Sequence, residues 1–234
     1  MYGYVGGFMS RNIRAMAQLK KNTELYNLFI IIGILVLDVI LYGIFRVTGV
    51  SDGESASEYI SMMYGMTVGI FCSVVVFIKL FMMVDEVTRG LCFGMTRRTL
   101  FTYSRIVDLL EILIVAVVSI LVLRSMSAAL ILKIAFAFYG LLMLIEGLAG
   151  NNILRYGKAA YWVFYIAFMC LFLGAPRLIG VIPGAVDFVA TVVEMFINPF
   201  YNQGIVWASI LGFIAIGVII NWYTFRKLAV NTNL

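Results

Sequence analysis

The sequence predicts an all-α integral membrane protein: six transmembrane helices, an N-terminal interfacial helix, a cytoplasmic helical elbow between spans two and three, and short outer helices before span six. Three observations carry this. Of 234 residues, 63% are hydrophobic and 12% charged, against roughly 45–50% and 25% in soluble domains. Six stretches, 28–45, 59–84, 106–123, 128–149, 159–175 and 205–223, are mostly apolar and approach the roughly twenty residues a helix needs to cross a hydrocarbon layer about 30 Å thick. The third observation is that basic residues alternate in density from one connection to the next.

That alternation sets the orientation. With the N-terminus inside, the inner connections carry twelve Lys and Arg, among them Arg11, Arg14, Lys20, Lys21, Arg155, Lys158, Arg226 and Lys227, and the outer ones three, Arg46, Arg124 and Arg177. The positive-inside bias then puts both termini in the cytoplasm of a multi-pass protein of the plasma membrane. The net charge of +5 belongs to these loops and not to a nucleic-acid surface. Tyr161, Trp162 and Tyr165 follow one basic loop, and Trp222 and Tyr223 precede another, where amphipathic rings favour the headgroup layer. The first apolar run begins near Leu28 and no small-residue cleavage pattern follows it, so the first span is expected to be retained.

Residues 1–27 are expected to form the interfacial helix, capped by Ser10, with Phe8, Ile13, Met16 and Leu19 on one side and Arg11, Arg14 and Lys21 largely elsewhere. The alternative is a frayed basic leader that serves only the charge bias. The outer loop 51–58 is short and acidic and reads as a solvated turn, or as an attractor for a cationic peptide. In span two, Gly65 and Gly69 give a GxxxG spacing that permits close helix approach, including across a homodimer.

The connection 85–105 carries the most information. A helix is expected to end near Phe93 with Gly94 as its stop, and Thr96 to cap a second helix that carries Arg97 and Arg98 into span three. A loop that serves topology alone needs only charge. This one also presents Leu91, Phe93, Met95, Leu100 and Phe101, apolar groups that gain from burial against bilayer or partner.

Segment 176–201 is apolar but divided by Pro183, Gly184, Asp187, Glu194 and Pro199. It is expected to form a pair of short helices in the outer leaflet, with Asp187 and Glu194 on one face toward water or protein.

The charges inside the spans are Asp38, Lys79, Lys133 and Glu146, the intramembrane polar and pathway candidates. Asp38, mid-span, reads as a pathway group, a polar contact across a dimer, or a protonated acid bonded to a neighbouring helix. Lys79 and Lys133 lie near span ends and are expected to snorkel. Glu146 has Lys158, Arg155 and Arg105 as candidate partners. Arg105 and Asp108 are helical neighbours, and with Glu111 they read as clamps at the inner headgroup layer.

The sequence has no histidine, which removes the usual general base, the commonest metal ligand and the Ser/His and Cys/His pairings. No catalytic or metal site is expected. Cys72, Cys92 and Cys170 read as free thiols acting as small core hydrophobes.

The run Phe93-Gly94-Met95-Thr96-Arg97-Arg98-Thr99-Leu100-Phe101 resembles the stretch Phe-Gly-(aliphatic)-(Ser/Thr)-Arg-(Lys/Arg)-x-(aromatic or aliphatic)-Phe found in membrane subunits of ATP-binding-cassette exporters, the six-span ABC-2-type permeases. The whole chain is similar to that family in architecture, which makes 1–234 a single permease domain and 85–105 its coupling helix. The resemblance implies that Glu86, Arg89, Phe93, Gly94, Met95, Thr96, Arg97 and Arg98 couple to a separate nucleotide-binding ATPase subunit, present in two copies, and that two permeases pair as a homodimer or related heterodimer. ATP and Mg would be bound by that partner, because this sequence has no Gly-x-x-x-x-Gly-Lys-(Ser/Thr) phosphate loop. Closure of the ATPases would move the elbows, rock spans one, two and five, and change which side the cavity faces. The implied activity is bacterial export of a peptide or a hydrophobic or amphipathic molecule, antimicrobial peptides being the narrowest guess. The alternative is a membrane scaffold or sensor on which the elbow docks a cytoplasmic partner without transport.

Overall fold

A computed structural model describes residues 3–47, 56–123 and 126–227. Most of the acidic outer loop, 51–55, and the chain ends lie outside the described residues. Every regular element among those described is helical: α1 (Gly3–Val47), α2 (Ala56–Cys92), α3 (Arg97–Val122), α4 (Ala128–Ile145), a π-helical turn (Glu146–Gly150), α5 (Asn151–Tyr156), α6 (Lys158–Val181), α7 (Ala185–Ile197) and α8 (Gln203–Phe225). Four stretches are long and apolar enough to cross a membrane: Ile13–Ile44, Tyr59–Leu80, Ala128–Tyr156 and Gln203–Phe225. The protein is membrane-embedded by that measure. The expected third and fifth spans fall on α3 and α6, but α3 brings Arg105, Asp108 and Glu111 into its length, and the apolar stretch Ala159–Cys170 of α6 is shorter than a span.

The chain falls into two compact units, Met1–Ser127 and Ala128–Leu234. In the first, α1 packs along α2, and both contact α3. Ile34, Phe71 and Val75 form a buried apolar cluster that Ile30, Ile31 and Val115 complete. The interfacial segment and first span are one uninterrupted helix. Nothing between 19 and 28 breaks it: Lys20-Lys21-Asn22-Thr23-Glu24 lacks Gly and Pro, so polarity changes along α1 without a change in backbone. Ser10 therefore lies inside α1 and does not cap it. At about 1.5 Å per residue α1 and α2 extend about 67 and 55 Å, well beyond the hydrocarbon layer.

In the second unit α4 and α8 pack so closely that glycines decide the contact. A Cβ on Gly217 would lie 2.9 Å from the Gly140 carbonyl oxygen, and one on Gly147 2.9 Å from Asn221 Cα. The π turn closes with an Asn151 N–H to Glu146 carbonyl bond, and its wider winding turns both side chains inward. Helix α6 runs through Pro176 to Val181, so one short helix, α7, stands where a pair of outer helices was expected. Membrane helices accommodate an interior proline when the freed carbonyl is satisfied locally. The break comes later, where Pro183 is followed by Gly184 at φ +78°. Helix α7 buries no residue, and at about 20 Å it is too short to cross. Asp187 and Glu194 are both exposed on it.

Candidate functional site

The elbow between α2 and α3 is built from local chemistry. Gly94 adopts φ +75°, a conformation that costs L-residues with a Cβ roughly 1–2 kcal/mol. There its N–H reaches the Leu91 carbonyl at 3.0 Å, while the Met95 N–H reaches that of Gly90 at 3.1 Å. These two bonds satisfy carbonyls that a helix end leaves open. Two residues on, the Thr96 hydroxyl accepts the Thr99 N–H at 3.2 Å and so caps α3. The turn leaves no slack. Next to it a Cβ on Gly90 would lie 2.7 Å from Leu100 Cδ1, so the missing side chain lets α3 close on α2.

The elbow sorts the expected coupling residues into two sets. Arg89, Phe93, Gly94, Thr96 and Arg98 are exposed, and Arg97 is half-buried. Glu86 and Met95 are instead buried and offer no surface to a docking partner. Met95 follows the glycine stop, a position that commonly folds back on the helix end. Leu100 and Phe101 are buried as well, so of the five apolar groups only Phe93 is fully presented. Arg89 pairs with Asp85 at 2.8 Å one turn away, an exposed pair that adds little to stability.

Further along the same helices, about 10–20 Å from the turn at 1.5 Å per residue, a buried ion-pair network joins α1, α2 and α3. Lys20 Nζ is 3.1 Å from Glu86 Oε2 and 3.2 Å from Asp108 Oδ1. Lys79 Nζ is 2.8 Å from Asp108 Oδ1 and 2.6 Å from Glu111 Oε2, and Arg105 lies 3.5 Å from Asp108 Oδ2. Thr23 donates its hydroxyl proton to Glu86, and Asn27 its amide to Glu111 at 2.8 Å. Three cations thus face three carboxylates, and the neutral sum is what makes burial tolerable. Among the described residues no group of His, Cys, Asp or Glu is arranged to hold a metal ion.

The expected snorkelling of Lys79 is overturned. Asp108 and Glu111 stand three residues apart on α3, one turn of one face, so two carboxylates meet the ammonium at its own depth. The side chain is 3% exposed. Lys133 does not snorkel either. It is buried and donates to the Phe196 carbonyl at 2.9 Å, near the C-terminus of α7, where unpaired carbonyls concentrate.

The remaining candidates are dispersed. Asp38 is half-buried and accepts a hydrogen bond from Thr67 of α2. Glu146 accepts from Asn221 Nδ2 at 3.2 Å. Asn151 Nδ2 is 3.1 Å from Asn221 Oδ1 and 2.6 Å from Thr224 Oγ1, so Glu146, Asn151 and Asn221 form a polar cluster inside the second unit. Gly65 and Gly69 lie on an open face of α2, where an added Cβ meets nothing within 4 Å. The three cysteines are free, but Cys92 and Cys170 are exposed and Cys72 half-buried, so a core role is corrected.

Sequence reasoning missed Lys20, Thr23 and Asn27 as network members, since Lys20 was assigned to topology alone. The signal was present as a polar stripe at i, i+3 and i+7 on one helix face. No protein-family model matches the chain, and no curated protein or solved structure matches it.

Proposed function

We propose that the chain is the permease subunit of an ATP-binding-cassette exporter, driven by ATP hydrolysis in a separate nucleotide-binding subunit. The observation that carries this reading is mechanical. The four-residue turn 93–96 presents Phe93, the first turn of α3 presents Arg98 beside it, and buried ion pairs further along fasten α2 to α3 and both to α1. A displacement of the tip is passed to three helices at once and is not absorbed by a slack loop.

In this scheme two ATPase subunits, which bind the ATP and Mg, close and push on the elbows of two paired permeases. Lys79 with Asp108 and Glu111 makes α2 and α3 move together, and Lys20 with Glu86 and Asp108 brings α1 with them. The pair, a homodimer or related heterodimer, switches between two states that open to opposite faces. Six crossings are proposed, those of α3 and α6 added to the four apolar helices, with both termini cytoplasmic in a bacterial plasma membrane. Support comes from the Lys and Arg distribution and from aromatic groups at helix ends: the Tyr161, Trp162 and Tyr165 rings pack within 6.2 Å, and Lys227 lies 3.9 Å from the Tyr223 ring. The apolar lipid-facing helices favour an amphipathic peptide or other hydrophobic cargo.

The test is affinity purification of the tagged chain from its native membrane in mild detergent, with mass spectrometry and ATPase assay of what co-purifies. A near-stoichiometric nucleotide-binding subunit, lost on Arg97→Glu/Arg98→Glu, supports the permease reading. A chain that purifies alone or with partners that are not ATPases overturns it and brings the scaffold forward.

A further inference from the structure

Thr67 of α2 has one hydroxyl proton and two acceptors within reach. One is the Asp38 carboxyl of α1, and the other is the Met63 carbonyl, 2.9 Å away and one turn back on its own helix. A hydroxyl donates only once. If Asp38 is ionised, Thr67 gives its proton to the carboxylate, and the Met63 contact is left as two facing lone pairs. If Asp38 carries a proton, the bond between the two helices runs the other way: Asp38 donates to Thr67 Oγ1, Thr67 donates to Met63, and both contacts are hydrogen bonds. Tyr64 and Ser119 close a chain of that kind with neutral groups. Ser119 gives its proton to the Val115 carbonyl at 2.8 Å, so the 3.1 Å contact between the two hydroxyls is made by Tyr64 donating.

The surroundings of Asp38 favour the neutral form. Residues 28–37 and 39–45 hold no other charge, and Leu35, Val36, Leu37, Val39 and Ile40 are exposed apolar groups that meet hydrocarbon in an embedded chain. Among the described residues no ion pair includes Asp38. The titratable groups nearest it along α1 and α2 are the phenols of Tyr42, Tyr59 and Tyr64 and the thiol of Cys72. On α3 the nearest is Glu111, one turn from the Val115 that packs on Ile34, and it is bound to Lys79 and Asn27. Lys79 itself stands twelve residues along α2 from Thr67, about 18 Å of helix. A carboxylate with neither water nor a cation beside it costs more in hydrocarbon than the neutral acid does, and neutralisation is the cheaper state.

We propose that Asp38 is a proton-binding site within the first span, and that the bound proton, through the chain Asp38–Thr67–Met63, joins α1 to α2. Release of the proton breaks the Thr67 bond to Met63 and sets a charge between two apolar helices, so their packing is favoured while the site is filled. The inference rests on membrane embedding and is independent of any ATPase.

The test uses the full chain alone in phosphatidylcholine nanodiscs at neutral pH, read by infrared difference spectroscopy. The wild type is expected to show the carbonyl stretch of a protonated carboxyl. Asp38→Asn should lose that band while its amide still donates to Thr67, and Asp187→Asn, which alters an exposed acid, should keep it. Thr67→Val takes away the acceptor and should move the band to higher frequency, a reading that stands even if Asp38→Asn fails to fold. Melting midpoints give an independent measure, because a proton held more tightly by the folded chain stabilises it at acidic pH and that increment is lost as pH rises. Between about pH 5 and about pH 9 the wild type should lose about 2–4 °C more than Asp38→Asn. A wild-type spectrum without the band, a band that survives Asp38→Asn or stays in place in Thr67→Val, or coincident pH profiles of the two proteins overturns the proposal. With no ATPase in the assay, none of these outcomes bears on the permease reading, which co-purification judges.

Discussion

Lys79 of α2 meets Asp108 of α3 at 2.8 Å, with side chains only 3% and 1% exposed. The pair closes the hairpin behind the elbow at a point where neither group reaches water. Lys79→Met should leave Glu111, 2.6 Å from the ammonium, without its cation and destabilise the protein by about 3–5 kcal/mol. Lys79→Met/Glu111→Gln should recover part of that loss, and the coupling is read from melting midpoints in detergent for the four proteins of a double-mutant cycle.

The two faces of the elbow should separate folding from docking. Arg98→Glu changes an exposed side chain and should shift stability by no more than about 0.5 kcal/mol while abolishing capture of the nucleotide-binding subunit. Met95→Asp places a carboxylate at a position 5% exposed and should lower the melting temperature before any partner is added. A partner retained by folded Arg98→Glu would remove the tip from the docking surface.

Gly147 of the second unit should behave unlike Gly65 of the first. Gly147→Val drives a side chain toward Asn221 Cα and should cost at least about 1–3 kcal/mol as an overpacked contact. Gly65→Val meets open space and should leave the melting midpoint of the single chain unchanged. Cross-linking yield then tells whether that open face serves a second copy.

Lys133 anchors α7 through the Phe196 carbonyl. Lys133→Met removes a charge-assisted bond of about 1.5–3 kcal/mol and should speed hydrogen exchange across Ala185–Ile197, with α8 unaffected. Equal exchange in both proteins would show that α7 is held by other contacts.

Much of the elbow was legible because its determinants are contiguous. Gly94 stops a helix through its own backbone freedom, and Thr96 caps the next through a hydroxyl three residues from its donor. Neither needs a distant partner. The same holds for the apolar helices, since hydropathy over some twenty residues is a property of one segment. The burial of Glu86 was not legible, because its partners Lys20 and Thr23 lie on α1, and that of Met95 depends on how the turn folds back on the end of α2.

The sequence by itself determined an all-helical, membrane-embedded chain and the place and chemistry of its tightest turn. Only the tertiary structure decided what its buried charges do. Lys20 and Asp108 lie 88 residues apart, and no local pattern tells an ammonium bound for the headgroups from one that a carboxylate on another helix will neutralise. The inward turn of Glu146 has the same origin, since the amide that meets it belongs to Asn221 of α8, a partner that a lone segment, read by propensity and charge, lacks.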